Sequence, residues 1–463
     1  MLSFSDRRQK RRPLLPRKDH GDGTLVGASF SSAVFNLSTT VVGAGVMALP
    51  ATLKQLGMIP GLIVIIGGAM ITEASIDMIL RFSYPSKSRS YSGLVADAFG
   101  SAGRSLLQAC IVINNMGLLV VYLIIIGDVM SGTRNMNGVH HSGVIEGWVG
   151  RETWLADRFI LLLLTTLFVF APLISLKRVD SLRYTSALSV GLAFVFVMII
   201  AGVAIIKLIE GTIQMPRLFP TLVDQSSFWN LFTCVPVLVT AYICHHNVHP
   251  IANELREPTQ MKSIVRSSLG LCLCVYLLTS FFGFLLFGDQ TQDDVLANFD
   301  ANLGIPYSSL LDDVVRVSYC AHLMLVFPIV FFSLRLNLDG LLFPYAAIPI
   351  AKDNRRFAAV TLALMCFIFL GANLVPTIWD AFQFTGATTA VAVGFIFPAA
   401  IALRDIHGIA TKKDRMISWV MIVLAISSST IAIFSDVYSI FRHSNGSLAE
   451  EFKIDLIRDF NIS

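Results

Sequence analysis

VVGAGVMALP, from Val41 to Pro50, interrupts an apolar run of the sequence with two glycines and a proline. A second apolar run is interrupted by ICHHNVHPIANE, from Ile243 to Glu254, which brings in three histidines, two asparagines and a proline. Glycine and proline weaken a helix by roughly 1 and 3 kcal/mol relative to alanine, and proline also lacks a backbone donor. Each stretch therefore predicts a helix that is broken near its middle.

The composition places both broken helices in a membrane. The chain has 463 residues, of which 54% are hydrophobic and only 14% charged, whereas soluble proteins carry roughly 25% charged residues. A spanning helix needs ~20 apolar residues, because lipid offers the backbone no hydrogen-bond partner. Such stretches recur near 29–55, 60–82, 104–131, 157–174, 185–209, 228–254, 264–288, 310–336, 357–375, 379–402 and 416–441. We therefore expect an all-α membrane protein of about eleven transmembrane helices in a lipid bilayer, and the composition excludes a soluble globular fold.

The two interruptions lie at matching positions of two halves of the chain. Transporters built from inverted repeats place their broken helices in this way, at the substrate site. One interruption alone favours a kink, whereas two matched interruptions favour unwound backbone. The predicted organisation is a basic tail (1–26), a first inverted repeat (27–209), a second inverted repeat (228–402), an eleventh helix (416–441) and a C-terminal tail (442–463).

Lysine and arginine are distributed unequally between the two sides of this predicted membrane protein. They concentrate in the basic tail and in the loops on the same side, whereas the loop 289–309 on the other side has none. The positive-inside rule then predicts a cytosolic N-terminus and a C-terminal tail outside the cell or in a lumen. Topology explains the basic residues, so no nucleic-acid partner is expected. A vacuolar membrane, the endoplasmic reticulum and the plasma membrane are all compatible with this orientation.

Backbone that unwinds at mid-membrane is tolerated only where it is buried in protein or lines a cavity, so its polar groups can serve a ligand. Amides freed between Val42 and Gly45 would hold a carboxylate, helped by the positive end of the following half-helix. Freed carbonyls of the sixth helix would take an ammonium. The alternative for the glycines is close helix packing. The predicted substrate-binding residues are Val42, Gly43, Ala44, Gly45, Tyr242, His245, Asn247 and Thr385.

Titratable groups at membrane depth are costly, which makes them candidates for ion coupling. His246 and His249 share the sixth-helix interruption, where they either relay protons or bond to freed carbonyls and hold the break open. His322, in the middle of the eighth helix, is either a second coupling group or a core histidine with satisfied hydrogen bonds. A metal site would need more ligands than this one cluster supplies, so we expect no metal, no other cofactor and no enzymatic activity.

Two residues outside these motifs complete the candidates for ion coupling. Glu73 lies thirteen residues past Pro60 and hence deep in the second helix, where it is either a proton-coupling site or a structural hydrogen-bonding group. Asn36 lies about two turns before the first break. Its amide would coordinate a cation, support the unwound loop or join two helices.

Two stretches of the sequence are similar to one family of transporters. The run SSAVFNLSTTVVGAGVMALP (Ser31 to Pro50), together with AYICHHNVHPIANEL (Ala241 to Leu255), resembles the amino acid/auxin permease family. Within that family the chain looks most like the plant-type vacuolar amino acid transporters, and it is similar to the sodium-coupled neutral amino acid transporters of animals. The resemblance implies a five-plus-five inverted repeat of the leucine-transporter type, with substrate held by helices one and six. It also implies that Asn36 matches the asparagine that sodium-coupled members use near their cation.

The resemblance also bears on the driving ion. The second contributor in sodium-coupled members is a hydroxyl on helix eight, but AHLMLVFP (Ala321 to Pro328) has no serine or threonine. A proton therefore becomes the expected driving ion, rather than sodium. The first hypothesis is a proton-coupled secondary active amino acid transporter that works by alternating access in the vacuolar or another cell membrane. Two alternatives keep the fold: an amino acid sensor that does not transport, and a metal-ion permease suggested by the three histidines.

Overall fold

The computed structural model describes residues 27–134, 140–150, 153–222, 228, 231–300, 308–374, 386–431 and 434. In chain order its α-helices are α1 (Phe30–Val41), α2 (Gly45–Leu56), α3 (Met58–Ser83), α4 (Tyr91–Ser131), α5 (Val144–Val149), α6 (Arg158–Thr165), α7 (Ala171–Ile174), α8 (Arg183–Ile209), α9 (Cys234–Tyr242), α10 (His245–Glu254), α11 (Met261–Phe287), α12 (Ser308–Leu342), α13 (Asn354–Leu374), α14 (Phe397–Arg404) and α15 (Lys412–Ile431). Two short strands after α4, β1 (Gly132–Arg134) and β2 (His140–Ser142), pair antiparallel. The described part of the chain is therefore almost entirely helical.

Eight of the described helical segments are long and apolar enough to cross a membrane, and the bent pair of α1 and α2 makes a ninth. Two shorter apolar segments, Arg158–Ile174 and Thr388–Arg404, overlap two further spans that hydropathy predicts. Both contain π-helical turns, at Thr166–Phe170, Gly386–Ala390 and Ala392–Ile396. The prediction of an all-α membrane protein is confirmed. The count of eleven spans and the boundaries of the two repeats stay predictions.

Helix α4 is longer than hydropathy predicts. The predicted span begins at residue 104, whereas the helix begins at Tyr91, after Ser90. The Ser90 hydroxyl caps this end by accepting from the Gly93 amide at 3.0 Å. Gly100 then adopts a left-handed conformation with φ of 70°, which a side chain would disfavour. The residues between Tyr91 and Gly100 therefore form a short helix of their own, which precedes the span.

The first predicted break is present and is shorter than its sequence motif. Helix α1 ends at Val41 and α2 begins at Gly45, at an angle of 55° to α1. Val42 caps α1 in an extended conformation. Pro50 lies inside α2, and Pro250 lies inside α10 in the same way. The prolines therefore belong to the second half-helices and do not mark the unwound backbone.

The second break separates α9 from α10. Helix α9 ends at Tyr242, Ile243 is extended, and α10 begins at His245. All three histidines of the motif, His245, His246 and His249, lie on the half-helix α10. The expectation that they lie in unwound backbone is therefore wrong, because the histidines and their neighbours continue as a regular helix beyond the break.

Helices from both halves of the chain shield the breaks from lipid. The long helix α12 packs against α4 and α8, while α11 packs against α2, α3 and α8. Helix α1 packs against both α8 and α11. Within the breaks, Val42, Ala44, Ile243 and Cys244 are all at most 4% exposed. Unwound backbone is thus enclosed by protein, as its unpaired polar groups require.

Candidate functional site

A single tyrosine hydroxyl joins the two breaks. Tyr276 Oη on α11 lies 2.7 Å from the carbonyl oxygen of Val41, the last residue of α1. The same atom lies 2.6 Å from the carbonyl oxygen of Ala241, next to the end of α9. Carbonyls at the end of a helix have no intrahelical donor. Because one hydroxyl carries one proton, these two carbonyls keep acceptor capacity for a further donor such as an ammonium.

Two close contacts explain the glycines of the first break. A Cβ at Gly43 would overlap the hydroxyl oxygen of Tyr122 on α4 and would lie 3.2 Å from its Cζ. A Cβ at Gly45 would lie 2.8 Å from the Cα of Ala241. Gly45 therefore lets α2 approach α9 closely, which is the packing alternative. Gly43 instead leaves room for the tyrosine that covers the break.

The backbone amides of the first break are positioned for an anion. Within the described part of the chain, the N–H groups of Gly43 and Gly45 have no hydrogen-bond acceptor. They lie at the N-terminus of α2, where the helix macrodipole favours negative charge. The neighbouring residues Val42 and Ala44 are buried. This arrangement can hold a carboxylate, and the assignment of these four residues to substrate stays a prediction.

His322 of α12 reaches the first break from the other side. Its Nε2 lies 3.1 Å from the carbonyl oxygen of Val42, and its Nδ1 lies 2.8 Å from the carbonyl oxygen of Ser189 on α8. The Ser189 hydroxyl is also 2.9 Å from Nδ1. The ring of Tyr319 is parallel to the imidazole, with the centroids 6.0 Å apart. Each ring nitrogen of His322 thus faces a carbonyl oxygen, which accepts a hydrogen bond and cannot donate one.

Two asparagines connect the breaks to neighbouring elements. Asn36 donates to the carbonyl of Val179 at 3.2 Å, and Asn247 donates to the hydroxyl of Thr40 at 3.1 Å. Asn36 therefore joins α1 to the turn before α8, as one of the alternatives for this residue expects. The amide oxygens of Asn36 and Asn247 are buried and have no donor among the described residues. Both oxygens stay available to a ligand.

The three histidines of α10 have different surroundings. His245 Nε2 bonds to the hydroxyl of Ser75 on α3 at 2.9 Å, and His249 Nε2 bonds to the hydroxyl of Ser83 at 2.8 Å. His246 is 3% exposed, and neither of its ring nitrogens has a partner among the described residues. The interpretation that these side chains hold the break open by bonding to freed carbonyls is wrong, because hydroxyls of α3 are the partners of His245 and His249. The freed carbonyl of Val42 is contacted instead by His322. A role of His246 and His249 in proton relay stays a prediction.

Glu73 lies away from both breaks. Its carboxylate pairs with Arg266 on α11 at 2.6 Å, and its side chain is 38% exposed. One turn further along α3, Asp77 pairs with Arg81 at 2.8 Å and with Lys262 at 2.7 Å. The structure therefore places Glu73 in a partly exposed ion pair away from both breaks, and its role in proton coupling stays a prediction. Sequence position places Glu73 along α3, but the side chain lies on the face that meets the basic first turns of α11.

The substrate-binding roles of Tyr242 and Thr385 stay predictions. Tyr242 donates its hydroxyl to the carbonyl of Ile65 on α3 at 3.1 Å, and its ring packs edge-on against Tyr276 with centroids 5.0 Å apart. It supports the second break from behind. Thr385 lies outside the described residues.

The start of α1 is fastened to α10 and to the turn before α8. The Ala28 amide donates to the backbone carbonyl of Glu254 at 2.8 Å. The Glu254 carboxylate accepts from the amides of Val179 and Asp180 at 3.0 and 2.7 Å. The Ser32 hydroxyl donates to the Asp180 carboxylate at 2.7 Å. These contacts, termed the latch below, hold α1 against α8 at the end of the helix that is remote from the break.

Three side chains at the site are not predicted from the sequence: two tyrosines that contact the breaks and a serine that contacts His322. Tyr122, Ser189 and Tyr276 lie in apolar helices, where aromatic and small residues usually serve packing. The available signal is chemical. A tyrosine in place of a phenylalanine in such a helix brings a hydroxyl that needs a buried partner, and the freed carbonyls of a break are such partners.

Two facing broken helices with available backbone groups define a class of membrane protein, the secondary transporters of the leucine-transporter fold. The crystal structure of MhsT in complex with L-phenylalanine is similar to this chain with a TM-score of 0.57. The match covers 90% of this chain and 98% of MhsT, at 12% sequence identity. The likeness confirms the predicted fold.

Sequence comparison identifies the family. The family model described as "Transmembrane amino acid transporter protein" matches residues 27–441. The chain is 58% identical to amino acid transporter AVT6B of Arabidopsis thaliana over 426 residues, which covers 92% of this chain and 93% of that protein. It is also 58% identical to amino acid transporter AVT6A of the same plant over 434 residues, which covers 93% of this chain and 94% of that protein. The chain therefore belongs to the transmembrane amino acid transporter family, and the resemblance drawn from its two motifs is confirmed.

Proposed function

We propose that this member of the family is a secondary active amino acid transporter driven by a proton gradient, with His322 as the proton site. Family membership supports amino acids as the substrate class. The observation that carries the coupling is the pair of carbonyl oxygens, from Val42 and Ser189, that face the two nitrogens of His322. The alternating exposure of this site to the two sides of the membrane would link proton movement to substrate movement.

The hydrogen-bond arithmetic at His322 distinguishes its two protonation states. An imidazolium carries two N–H donors, so it satisfies both carbonyls, whereas a neutral ring carries one. When Nδ1 is deprotonated, the Ser189 hydroxyl can rotate and donate to it instead. The ring forms no ion pair with the described residues, and the polar side chains of Ser189 and Tyr319 contact it. Protonation therefore strengthens the links between the break in α1, α8 and α12.

The same contact supports a proton over a sodium ion. A freed carbonyl of the first helix is the kind of group that coordinates the driving cation in transporters with broken helices. Here the Val42 carbonyl lies within hydrogen-bond distance of a histidine nitrogen. In its protonated state, His322 would supply the positive charge at that carbonyl, in place of a sodium ion.

The substrate's two charged groups fit the two breaks. The amides of Gly43 and Gly45 would bind the carboxylate at the N-terminus of α2. The carbonyls of Val41 and Ala241 would accept from the ammonium beside Tyr276. Both partners are backbone groups, so they recognise what all amino acids share.

An acidic lumen is the natural source of the driving protons, and we propose the vacuolar membrane with the N-terminus in the cytosol. Asp294, in the loop between α11 and α12 on the opposite side, supports this orientation. The pKa of its carboxyl is raised to about 6, mainly by burial and in part by the nearby carboxylates of Asp293 and Asp128. The Leu296 amide opposes this shift by donating to the carboxylate at 2.8 Å. In a lumen more acidic than about pH 6, this carboxyl is therefore mostly protonated.

Asp294 makes the stability of the protein depend on pH. Because its folded pKa lies above the unfolded value of ~3.9, the folded state binds more protons between pH ~4 and about 6. The stabilisation is complete below this window and is lost as pH rises through it. We expect the Tm of purified protein to be a few degrees higher at pH 5 than at pH 7, and Asp294→Asn to remove most of this difference. Glu210→Gln, at the exposed end of α8, is the control. An unchanged pH dependence in Asp294→Asn would contradict the assignment.

Proteoliposomes test the proposed function. Uptake of a panel of labelled amino acids is measured with a pH gradient, with a sodium gradient and with neither. We expect a subset of the panel to accumulate only under the pH gradient. Absence of flux for every amino acid would overturn the proposal, and tight binding without flux would identify a sensor. Accumulation under the sodium gradient alone would overturn the assignment of the driving ion.

A further inference from the structure

A cavity of about 370 Å³ opens on the side of the protein that holds the start of α1. It lies between the first turns of α4, helix α10, the end of α12 and the segment after α12. No residue of α1 or α8 lines it, so it is open although the latch is closed. Its volume falls in the range of ~300–1,000 Å³ that is typical of pockets for small molecules.

A cation lines the wall of this cavity. Arg104 and Gln108 are one turn apart on α4 and face the backbone of α12, because a Cβ at Gly340 would overlap Gln108 Nε2 and lie 3.9 Å from Arg104 Nη2. Arg104 Nε is buried without an acceptor, and Arg104 forms no ion pair with the described residues. The carboxylate on the same wall, Asp339, pairs with Arg356 at 2.9 Å. Arg104 thus has free donors in a fork that suits a carboxylate.

An imidazole without partners lies at the inner end of the cavity. His246 is 3% exposed and lines the cavity, and both ring nitrogens lack a partner among the described residues. His249, one turn further on, has an unpartnered Nδ1. More than about 90% of buried polar groups in proteins are hydrogen-bonded. A cavity that is lined by buried, unpartnered nitrogens therefore has the chemistry of a site for a polar ligand.

We propose that this cavity is a second binding site for the transported amino acid, in which Arg104 and Gln108 bind its carboxylate. The identity of the ligand rests on the proposed function, whereas the existence of the site rests on the cavity and its unpartnered groups. Oxygens of Asn337 and Asp339 on the facing helix would accept from the ammonium. His246, which lines the inner end of the cavity, lies two residues after Cys244 in the second break. A molecule bound in the cavity would therefore lie between the solution and the transport site. The second site therefore holds substrate that has left the breaks or is about to reach them.

Equilibrium binding counts the sites directly. Labelled L-alanine and L-glutamate, one neutral and one acidic probe, are titrated onto purified full-length protein. We expect two molecules of at least one probe per wild-type chain, and Arg104→Gln to weaken one of the two sites about tenfold or more, because a charge-assisted hydrogen bond is lost. Arg104→Lys, which keeps the charge, should retain part of the affinity. Arg355→Gln, which removes an exposed charge near the start of α13, is the matched control and should retain both sites.

Transport from each side gives a second readout that a fold defect would not reproduce. In oriented proteoliposomes, Arg104→Gln should raise KM about tenfold for substrate added on the side of the cavity and leave KM from the opposite side unchanged. Two unaltered sites in Arg104→Gln, a single site in the wild type, no binding of either probe, or an equal rise of KM on both sides would overturn the proposal. If acetate displaced the probe from the cavity as effectively as the unlabelled amino acid does, the assignment of the site to amino acids would be overturned. Two-site binding without any flux would leave this inference intact and overturn the proposed function.

Discussion

Replacing Gly43 by alanine is expected to reduce amino acid transport by about 10- to 100-fold while leaving the protein folded. The added methyl group would overlap the Tyr122 hydroxyl, so α4 or the unwound backbone must shift. Over-packing of this kind costs ~1–3 kcal/mol, and each ~1.4 kcal/mol changes a population tenfold. The displaced backbone carries the amide that we assign to the carboxylate, so the loss falls on substrate binding. Uptake of labelled amino acid into proteoliposomes measures it.

Two further variants separate this explanation from general damage. Gly191→Ala places the same methyl group on α8, where a Cβ meets nothing within 4 Å, and it should transport like the wild type. Tyr122→Phe combined with Gly43→Ala removes the overlapping oxygen and leaves a contact of 3.2 Å to Cζ, so transport should recover in part. Normal transport by Gly43→Ala alone would show that the tyrosine does not confine the break.

Replacing His322 by glutamine is expected to abolish accumulation driven by a pH gradient. A gradient of one pH unit stores ~1.4 kcal/mol per proton, which supports about tenfold accumulation for each proton moved. Glutamine can donate to one of the two facing carbonyls but does not take up a proton in this pH range. The variant should therefore exchange labelled for unlabelled amino acid across the membrane and fail to concentrate it. Counterflow and gradient-driven uptake, measured on the same vesicles, distinguish these activities.

The controls for this variant address histidine loss and the neighbouring hydroxyl. His407 lies in the loop before α15 and pairs with Asp97 at 2.7 Å, so His407→Gln removes a histidine remote from the breaks and should leave coupling intact. Tyr319→Phe removes the other titratable group beside the imidazole and should also retain coupling. Gradient-driven accumulation by His322→Gln would assign the proton site to another residue, with His246 and His249 as the next to test.

The broken helices could be predicted from sequence because their cause is local. Gly43 and Gly45 weaken their helix whatever surrounds it, because the effect of glycine on the backbone is local. The motif at 243–254 predicts the second break in the same way. The exact unwound residues could not be predicted, since Pro50 and Pro250 are tolerated inside the second half-helices. Hydropathy locates a span, but the packing around it decides which turn is lost.

The side chains around the breaks were harder to predict, because they depend on which face of each helix points inward. Glu73 and His322 are both ionisable residues of apolar helices, yet Glu73 lies at the surface with Arg266 and His322 lies against Val42. A single sequence gives their depth along the helix and not their rotation about its axis. For the same reason the sequence alone does not distinguish Tyr276, which contacts both breaks, from a packing residue.

The latch has a consequence for the timing of the transport cycle. Helix α1 is held at one end by the latch, through Glu254, and at the other by the hydrogen bond from Tyr276 to Val41. The helix cannot tilt until one of these two contacts breaks. Substrate arrives at the break and so acts on the contact with Tyr276, whereas Glu254 and Asp180 lie a full half-helix away from it. Release at the far end is then a step that substrate concentration does not accelerate. The maximal turnover of the protein would accordingly be set by the four hydrogen bonds of the latch, none of which contacts the substrate.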